Sequence, residues 1–333
     1  MAGKEKKSNV LATNPLIAKI GSQRLVVLLV VVVLFVFFCI MSESFRRYST
    51  ILSILDYSYY ITFMAIGVTF ALITGGNDLS IGTGMICYAL IGGYLVTKMG
   101  MPVGVGMLVT ILCGVLMGVL NGIVVAVLEI PPFIATLCTM MIARGIGSIA
   151  TGSMSVTWPQ AVTEQGWFRS IFKLNTGNIK LPLGFLWIII LVVIMSVFLN
   201  KTRPGRYIIA IGSNKEATRL SGVNVIKWHM LAYIICGFFT GLAGIAYAAT
   251  FQAVPPGTGA GLELDAICGA IIGGTSMKGG SGSIVGTLLG VFVMSMLKTG
   301  LPFIGLQANW QQIITGIILI IAVFIDVVRS KKA

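Results

Sequence analysis

Residues 201–227 read KTRPGRYIIAIGSNKEATRLSGVNVIK, a basic and polar insert between long apolar runs. The insert has the composition of a segment in water, and its flanks have that of segments in lipid. The contrast decides the fold class: the chain is threaded repeatedly through a membrane and holds this polar segment outside it. Something outside the lipid must bind that segment.

Across the chain, hydrophobic residues make up 56% and charged residues only 10%, against about 25% charged in soluble domains. A transmembrane helix needs ~20 mainly apolar residues, and runs of that length recur with Gly, Pro, Asn or charge between them. The reading is an all-α polytopic membrane protein with about ten transmembrane helices, near 25–42, 51–73, 80–97, 103–128, 132–150, 183–200, 228–250, 263–277, 284–301 and 310–328. It divides into a polar tail over 1–24, a transmembrane domain over 25–328 and a short tail over 329–333. No small-residue cleavage site follows Val27 to Ile40, so the first span is expected to stay as a helix and not to be a signal peptide.

A net charge of +13 could suggest a nucleic-acid partner. In a membrane chain the informative question is on which side the cations fall. With the N-terminus inside, the inner segments collect Lys4, Lys6, Lys7, Lys19, Arg24, Lys201, Arg203, Arg206, Lys215, Arg219, Lys227, Lys278, Arg329, Lys331 and Lys332. The outer segments hold Arg46, Arg47, Lys98, Arg169, Lys173, Lys180 and Lys298. This excess puts both termini in the cytoplasm, the 152–182 loop outside and the 201–227 loop inside. No nucleic-acid partner is expected.

Catalytic chemistry is not in evidence. Cys39, Cys87, Cys113, Cys138, Cys236 and Cys268 all sit in apolar runs with no CxxC, which reads as small apolar packing with no metal or redox site. The single histidine, His229, follows Lys227 and Trp228 at the start of a span and reads as an interfacial anchor. The Gly-rich run GGTSMKGG at 273–280 lacks the phosphate-loop spacing. The chain is therefore not expected to be an enzyme or to hydrolyse ATP itself.

Two polar breaks interrupt the spans: GGNDLSIG at 75–82 and GTGAGLELD at 257–265. Each places an Asp, Asp78 or Asp265, at the start of an apolar helix with a Gly four residues on. Equivalent breaks at opposite faces suit an inverted repeat, with spans two to five mirrored by seven to ten. The two Asp read as helix N-caps, alone or also as neighbours of a solute path, since irregular backbone at membrane depth is tolerated only when buried in protein or lining a wet cavity. Gly114, Gly118 and Gly122, like Gly286 and Gly290, have the four-residue spacing of close helix packing. Arg144, inside the fifth span, either lines a path or snorkels to the interface. Glu129, before Pro131 and Pro132, reads as a boundary residue.

Within the insert, Asn214 precedes Lys215-Glu216-Ala217-Thr218-Arg219-Leu220-Ser221-Gly222, an N-cap, two helical turns and a Gly stop. It reads as a short helix outside the membrane, either a solvated connector or a docking element.

These motifs carry a resemblance. GGNDLSIG at 75–82, PPFIATL at 131–137, GRYIIAIGSNKEATRLSGVNV at 205–225, GTGAGLELDAI at 257–267, GGTSMKGGSGSIVGTLLG at 273–290 and ANWQQIITGIILIIAVFID at 308–326 are similar to the permease subunits of bacterial ABC importers. The branch they resemble is the ribose-type monosaccharide one, which is related to the branched-chain amino-acid permeases. The resemblance implies a ten-helix type II importer fold in the bacterial inner membrane, with two permease subunits, two cytoplasmic ATPase subunits that carry ATP-Mg, and a periplasmic sugar-binding protein.

On the same resemblance, Asn214, Lys215, Glu216, Ala217, Arg219, Leu220, Ser221 and Gly222 form a coupling helix in an ATPase groove. Glu216 and Arg219 would be rim charges and Leu220 the apolar anchor. Phe133, Thr136 and Arg144 would line the path, joined near its ends by Asn77, Asp78, Ser80, Glu263 and Asp265. The sequence departs from the family's common spelling at Asn77, usually aliphatic, and at Pro132, usually small. Alternatives are a branched-chain amino-acid or autoinducer-type permease, and an ion-coupled secondary transporter. The latter should carry several intramembrane carboxylates or histidines, in which this chain is poor.

Overall fold

The computed structural model describes residues 22–176 and 179–330. All but the end of the tail read at 1–24 lies outside these residues, as do the last three residues of the tail read at 329–333. In chain order the helices are α1 (Ser22–Met41), α2 (Tyr48–Ile73), α3 (Ile81–Thr97), α4 (Val103–Gly122), α5 (Pro132–Ala150), α6 (Trp167–Ser170), α7 (Leu183–Lys201), α8 (Arg203–Ser213), α9 (Lys215–Leu220), α10 (Val225–Thr250), α11 (Leu262–Ile272), α12 (Ile284–Gly300) and α13 (Ala308–Ser330). Among the described residues four strands occur, all in loops: β1 (Val156–Thr157), β2 (Leu174–Thr176), β3 (Ile179–Leu181) and β4 (Ala253–Val254).

Among the described residues eight helices are long and apolar enough to cross a membrane by length and composition, and the shorter apolar helix Ile81–Thr97 stands beside them. The span expected at 80–97 is α3, at 17 residues slightly short. The span expected at 263–277 needs the larger correction. Its helix, α11, has 11 residues, about 16 Å at the helical rise, or half of a ~30 Å hydrocarbon core. It stops where Gly273 and Gly274 arrive together, Gly274 at φ 100°. An irregular segment over 273–283 then leads to α12. The fourth expected span ends in a π-helical turn over Ile123–Val127, beyond which Glu129 stands at φ 54°.

The core is built on α2 and α10. Of the apolar window in α2, 72% is buried, against 6% in α13 and 11% in α1, so the latter two are peripheral. Helix α10 approaches α4 closely because glycines face glycines: a Cβ on Gly114 would lie 2.3 Å from the Gly237 carbonyl oxygen. Helix α11 meets α12 in the same way, Gly269 and Gly273 against Gly290 and Gly286. Without a hydrophobic drive between helices in lipid, such backbone proximity supplies the packing energy.

The 152–182 segment is folded onto one end of the bundle. β1 pairs antiparallel with β4, Val156 opposite Val254. Trp158 is fully buried and its Nε1 donates to the Ala89 carbonyl at 3.0 Å. Arg169 donates to the carbonyls of Pro159 and Ala249, each at 2.8 Å. Tyr48 Oη donates to the Lys180 carbonyl at 2.6 Å, placing the start of α2 at this end. The end of α2 is elsewhere: the Gly280 N–H donates to the Ile73 carbonyl at 2.9 Å, beside Gly212 of the insert. The 152–182 and 201–227 segments therefore occupy opposite ends of α2.

Candidate functional site

The break after α2 is organised around Asp78. The chain turns at Gly75, φ 81°, and re-enters helix at Ile81. Asp78 is 2% exposed. Its Oδ1 accepts from the Ser80 N–H at 2.9 Å and the Ser80 hydroxyl at 2.6 Å, and its Oδ2 accepts from Asn121 Nδ2 at 3.3 Å. Asn121 Nδ2 also donates to Ser80 Oγ at 3.0 Å, so α4 holds the entry to α3. Thr136 ties in α5, its hydroxyl accepting from the Leu79 N–H at 3.1 Å and donating to the Pro132 carbonyl at 2.8 Å.

The expectation that Asp78 is an N-cap needs correction. Ser80 holds the cap position, and Asp78 closes a turn two residues upstream. Among the described residues Asp78 forms no ion pair; hydrogen bonds alone hold the carboxylate. Asp78→Asn keeps an acceptor toward Ser80 and loses the bond from Asn121, about 1 kcal/mol net. Uptake should fall by no more than a few-fold at normal membrane levels. Complete loss of uptake at normal levels would show that the carboxylate acts on the solute.

At the opposite end, Asp265 is not a cap either. The carboxylate of Glu263 folds back to accept from the Gly261 N–H at 3.0 and 3.1 Å. Asp265, fully buried, instead accepts from Tyr57 Oη at 3.0 Å and lies 3.1 Å from Lys298 Nζ. Lys298 was expected in an outer segment. It lies in the last turn of α12 with a side chain only 15% exposed, where a carboxylate answers its charge.

Helix α5 has two faces. Ala135, Thr136, Thr139, Ala143 and Gly147 are buried toward the core. Phe133, at 58% exposed, Ile134, Met141, Ile142, Arg144 and Ile149 point out of the bundle. Arg144 has no hydrogen bond or ion pair among the described residues, and a Cβ on Gly257 would stand 3.8 Å from its guanidinium. The exposed face of α5 therefore adjoins the break before α11. Of the residues read as path-lining, Phe133 and Arg144 are exposed, Asn77 is half-buried, and Asp78, Ser80, Thr136, Glu263 and Asp265 are buried.

The insert folds as two helices where the sequence reading has one. In α8, Ile208 and Ile211 are buried and the Tyr207 ring packs at a tilt against Trp228 with centroids 5.4 Å apart. One residue later α9 begins: Asn214 Oδ1 accepts from the Ala217 N–H at 2.9 Å, Thr218 is buried, and Gly222 ends it at φ 79°. Glu216 and Arg219 pair at 3.1 Å. Lys215 lies 3.3 Å from Glu129, so that residue does more than mark a boundary. Leu220 is 84% exposed. His229, expected as an interfacial anchor, is 7% exposed and packs against Tyr233.

All six cysteines are free. No group of three or more His, Cys, Asp or Glu capable of holding a metal occurs among the described residues.

Over residues 50–323 the chain matches the family described as branched-chain amino acid transport system / permease component. The chain belongs to that family. The permease is 35% identical over 309 residues to the ribose import permease protein RbsC of Escherichia coli (strain K12), covering 90% of this chain and 92% of that one. It is 32% identical over 306 residues to the galactose/methyl galactoside import permease protein MglC of Haemophilus influenzae, covering 85% and 89%. It is 31% identical over 314 residues to the fructose import permease protein FruG of Bifidobacterium longum, covering 92% and 91%. No solved structure matches the permease.

Proposed function

We propose that this permease is the membrane subunit of an ATP-binding-cassette importer that carries a monosaccharide, a ribose-type pentose or a hexose, across the bacterial inner membrane. Its similarity to ribose, galactose and fructose import permeases supports the substrate class. The observation that carries the mechanism is α9, a capped helix displaying Leu220 to water at the end of the bundle opposite the 152–182 segment. Drive then comes from a partner ATPase that binds ATP-Mg and grips this helix. The permease holds no cofactor of its own and catalyses no reaction.

Two permease subunits would enclose the path between them. The exposed face of α5, with Phe133 and Arg144, fits that boundary. A lone cation on a lipid-facing surface at membrane depth costs about 2.5–3.5 kcal/mol, so Arg144 is better placed against water or a second subunit. Asn77, Asp78, Ser80 and Thr136 would fix the cytoplasmic mouth, and Glu263 and Asp265 the outer one. A neutral sugar requires hydrogen-bonding groups and no fixed counter-charge, and a periplasmic binding protein docked on the outer end would supply most of the selectivity. Both termini would lie in the cytoplasm, following the distribution of Lys and Arg.

Affinity capture of the tagged permease from membranes, with mass spectrometry of what it holds, tests the assembly. An ATPase subunit and a binding protein should be recovered, and the binding protein should take a monosaccharide in a ligand screen. A binding protein selective for a branched-chain amino acid would overturn the substrate class.

A further inference from the structure

We propose that Gly212 is the positioning residue through which displacement of α9 reaches both polar breaks of the membrane core. This rests on the reading of α9 as the docking helix. At the end of α2 three segments meet almost wholly through backbone, with the Ser213 hydroxyl as the one side-chain atom nearest Gly280: Ile73–Gly75, Gly212–Ser213 and the 278–280 stretch of the connection from α11 to α12. The Gly280 N–H donates to the Ile73 carbonyl at 2.9 Å. A Cβ on Gly212 would fall 1.7 Å from that same carbonyl oxygen and 2.5 Å from the Gly280 nitrogen. A Cβ on Gly279 would be 2.8 Å from the Gly75 nitrogen and 2.9 Å from the Gly212 carbonyl oxygen, and one on Gly280 would be 3.0 Å from Ser213 Cα.

The consequence is mechanical. Flexible side chains yield under load, whereas segments packed so closely that no Cβ fits between their backbones have little room to be compressed. Gly212 is the penultimate residue of α8, and α9 begins after the single residue Asn214. A push on α9 therefore arrives at Gly212 with little slack. From there it has two outlets. Ile73 leads directly into the break that holds Asp78, and the 278–280 stretch leads back to α11, whose Asp265 is paired with Lys298 at the other end of the bundle. One joint thus serves both breaks, and it moves as a unit.

The test has two arms, each read as a ratio to the parent complex of permease, ATPase and binding protein. Gly212→Val should retain the ATPase on capture from membranes and lose at least tenfold in uptake per assembled complex, with ATP hydrolysis no longer raised by the sugar-loaded binding protein. A purely packing role would lower membrane level and thermal midpoint and leave uptake per complex intact, which would overturn the proposal. In the second arm, a Ser213→Cys/Gly280→Cys pair is oxidised to a disulfide. Gly280 lies at φ 76°, so the reduced pair is the reference for its own strain, and the parent chain treated alike controls for the native cysteines. A joint that moves as a unit should transport equally, within twofold, whether oxidised or reduced. Arrest on oxidation, reversed by reductant, would show that the segments separate during the cycle and would refute it, even if Gly212→Val failed to insert. Failure of the parent permease to capture any ATPase would count against the docking reading, separately from either arm.

Discussion

Leu220→Glu should abolish co-purification of the ATPase and bring uptake to background while leaving the permease inserted at normal levels. Leu220 is 84% exposed and supports nothing within the permease, so its own fold should shift by less than about 0.5 kcal/mol. In a docked interface a solvent-exposed leucine at the end of a rigid helix is an anchor whose loss costs about 2 kcal/mol or more, and a carboxylate buried in its place costs further desolvation. Arg219→Glu should cost the permease's own fold slightly more than Leu220→Glu, since it replaces an exposed pair with Glu216 worth about 0–1 kcal/mol by a like-charge contact. ATPase capture and uptake by Leu220→Glu at parental levels would remove α9 from the coupling role.

Asp265→Asn should strongly destabilise the transmembrane core. It leaves the Lys298 ammonium, 15% exposed, without its carboxylate. Breaking a buried pair by removing one partner costs about 3–5 kcal/mol. The double change Asp265→Asn with Lys298→Met removes both charges and should recover most of the loss, because a neutral replacement of a buried pair is often as stable as the pair itself. Thermal unfolding in detergent, followed by the amount of monodisperse protein, measures both. A single variant as stable as the parent would mean that the pair is hydrated or open in the membrane.

Much of this architecture is legible in the sequence because lipid imposes a simple composition on each span. The breaks at 75–82 and 257–265 stand out as polar residues among apolar ones, and α9 is announced by a local grammar of Asn cap, helical run and glycine stop. What escapes the reading depends on contacts between distant residues. Asp265 looks like a cap because it sits in a first turn; only the fold brings Lys298 and Tyr57 to it. A lysine and an aspartate each lying inside apolar helical runs must find partners at depth, and that was the available signal. Asn121, a lone amide in a glycine-rich span, carried a similar one. Helix α8 is hidden by its charged first turn, although Ile208 and Ile211 are three apart and share a buried face. The early end of α11 is set where Gly274 turns at φ 100°, a backbone signal that hydropathy does not register.

The most direct test of an ATP-driven permease is reconstitution in sealed vesicles. Permease assembled with its ATPase and supplied with ATP on the ATPase side and sugar-loaded binding protein on the other should accumulate sugar against a gradient. Omitting any one of them should leave only leakage. Accumulation by the permease alone, without nucleotide or companions, would contradict it.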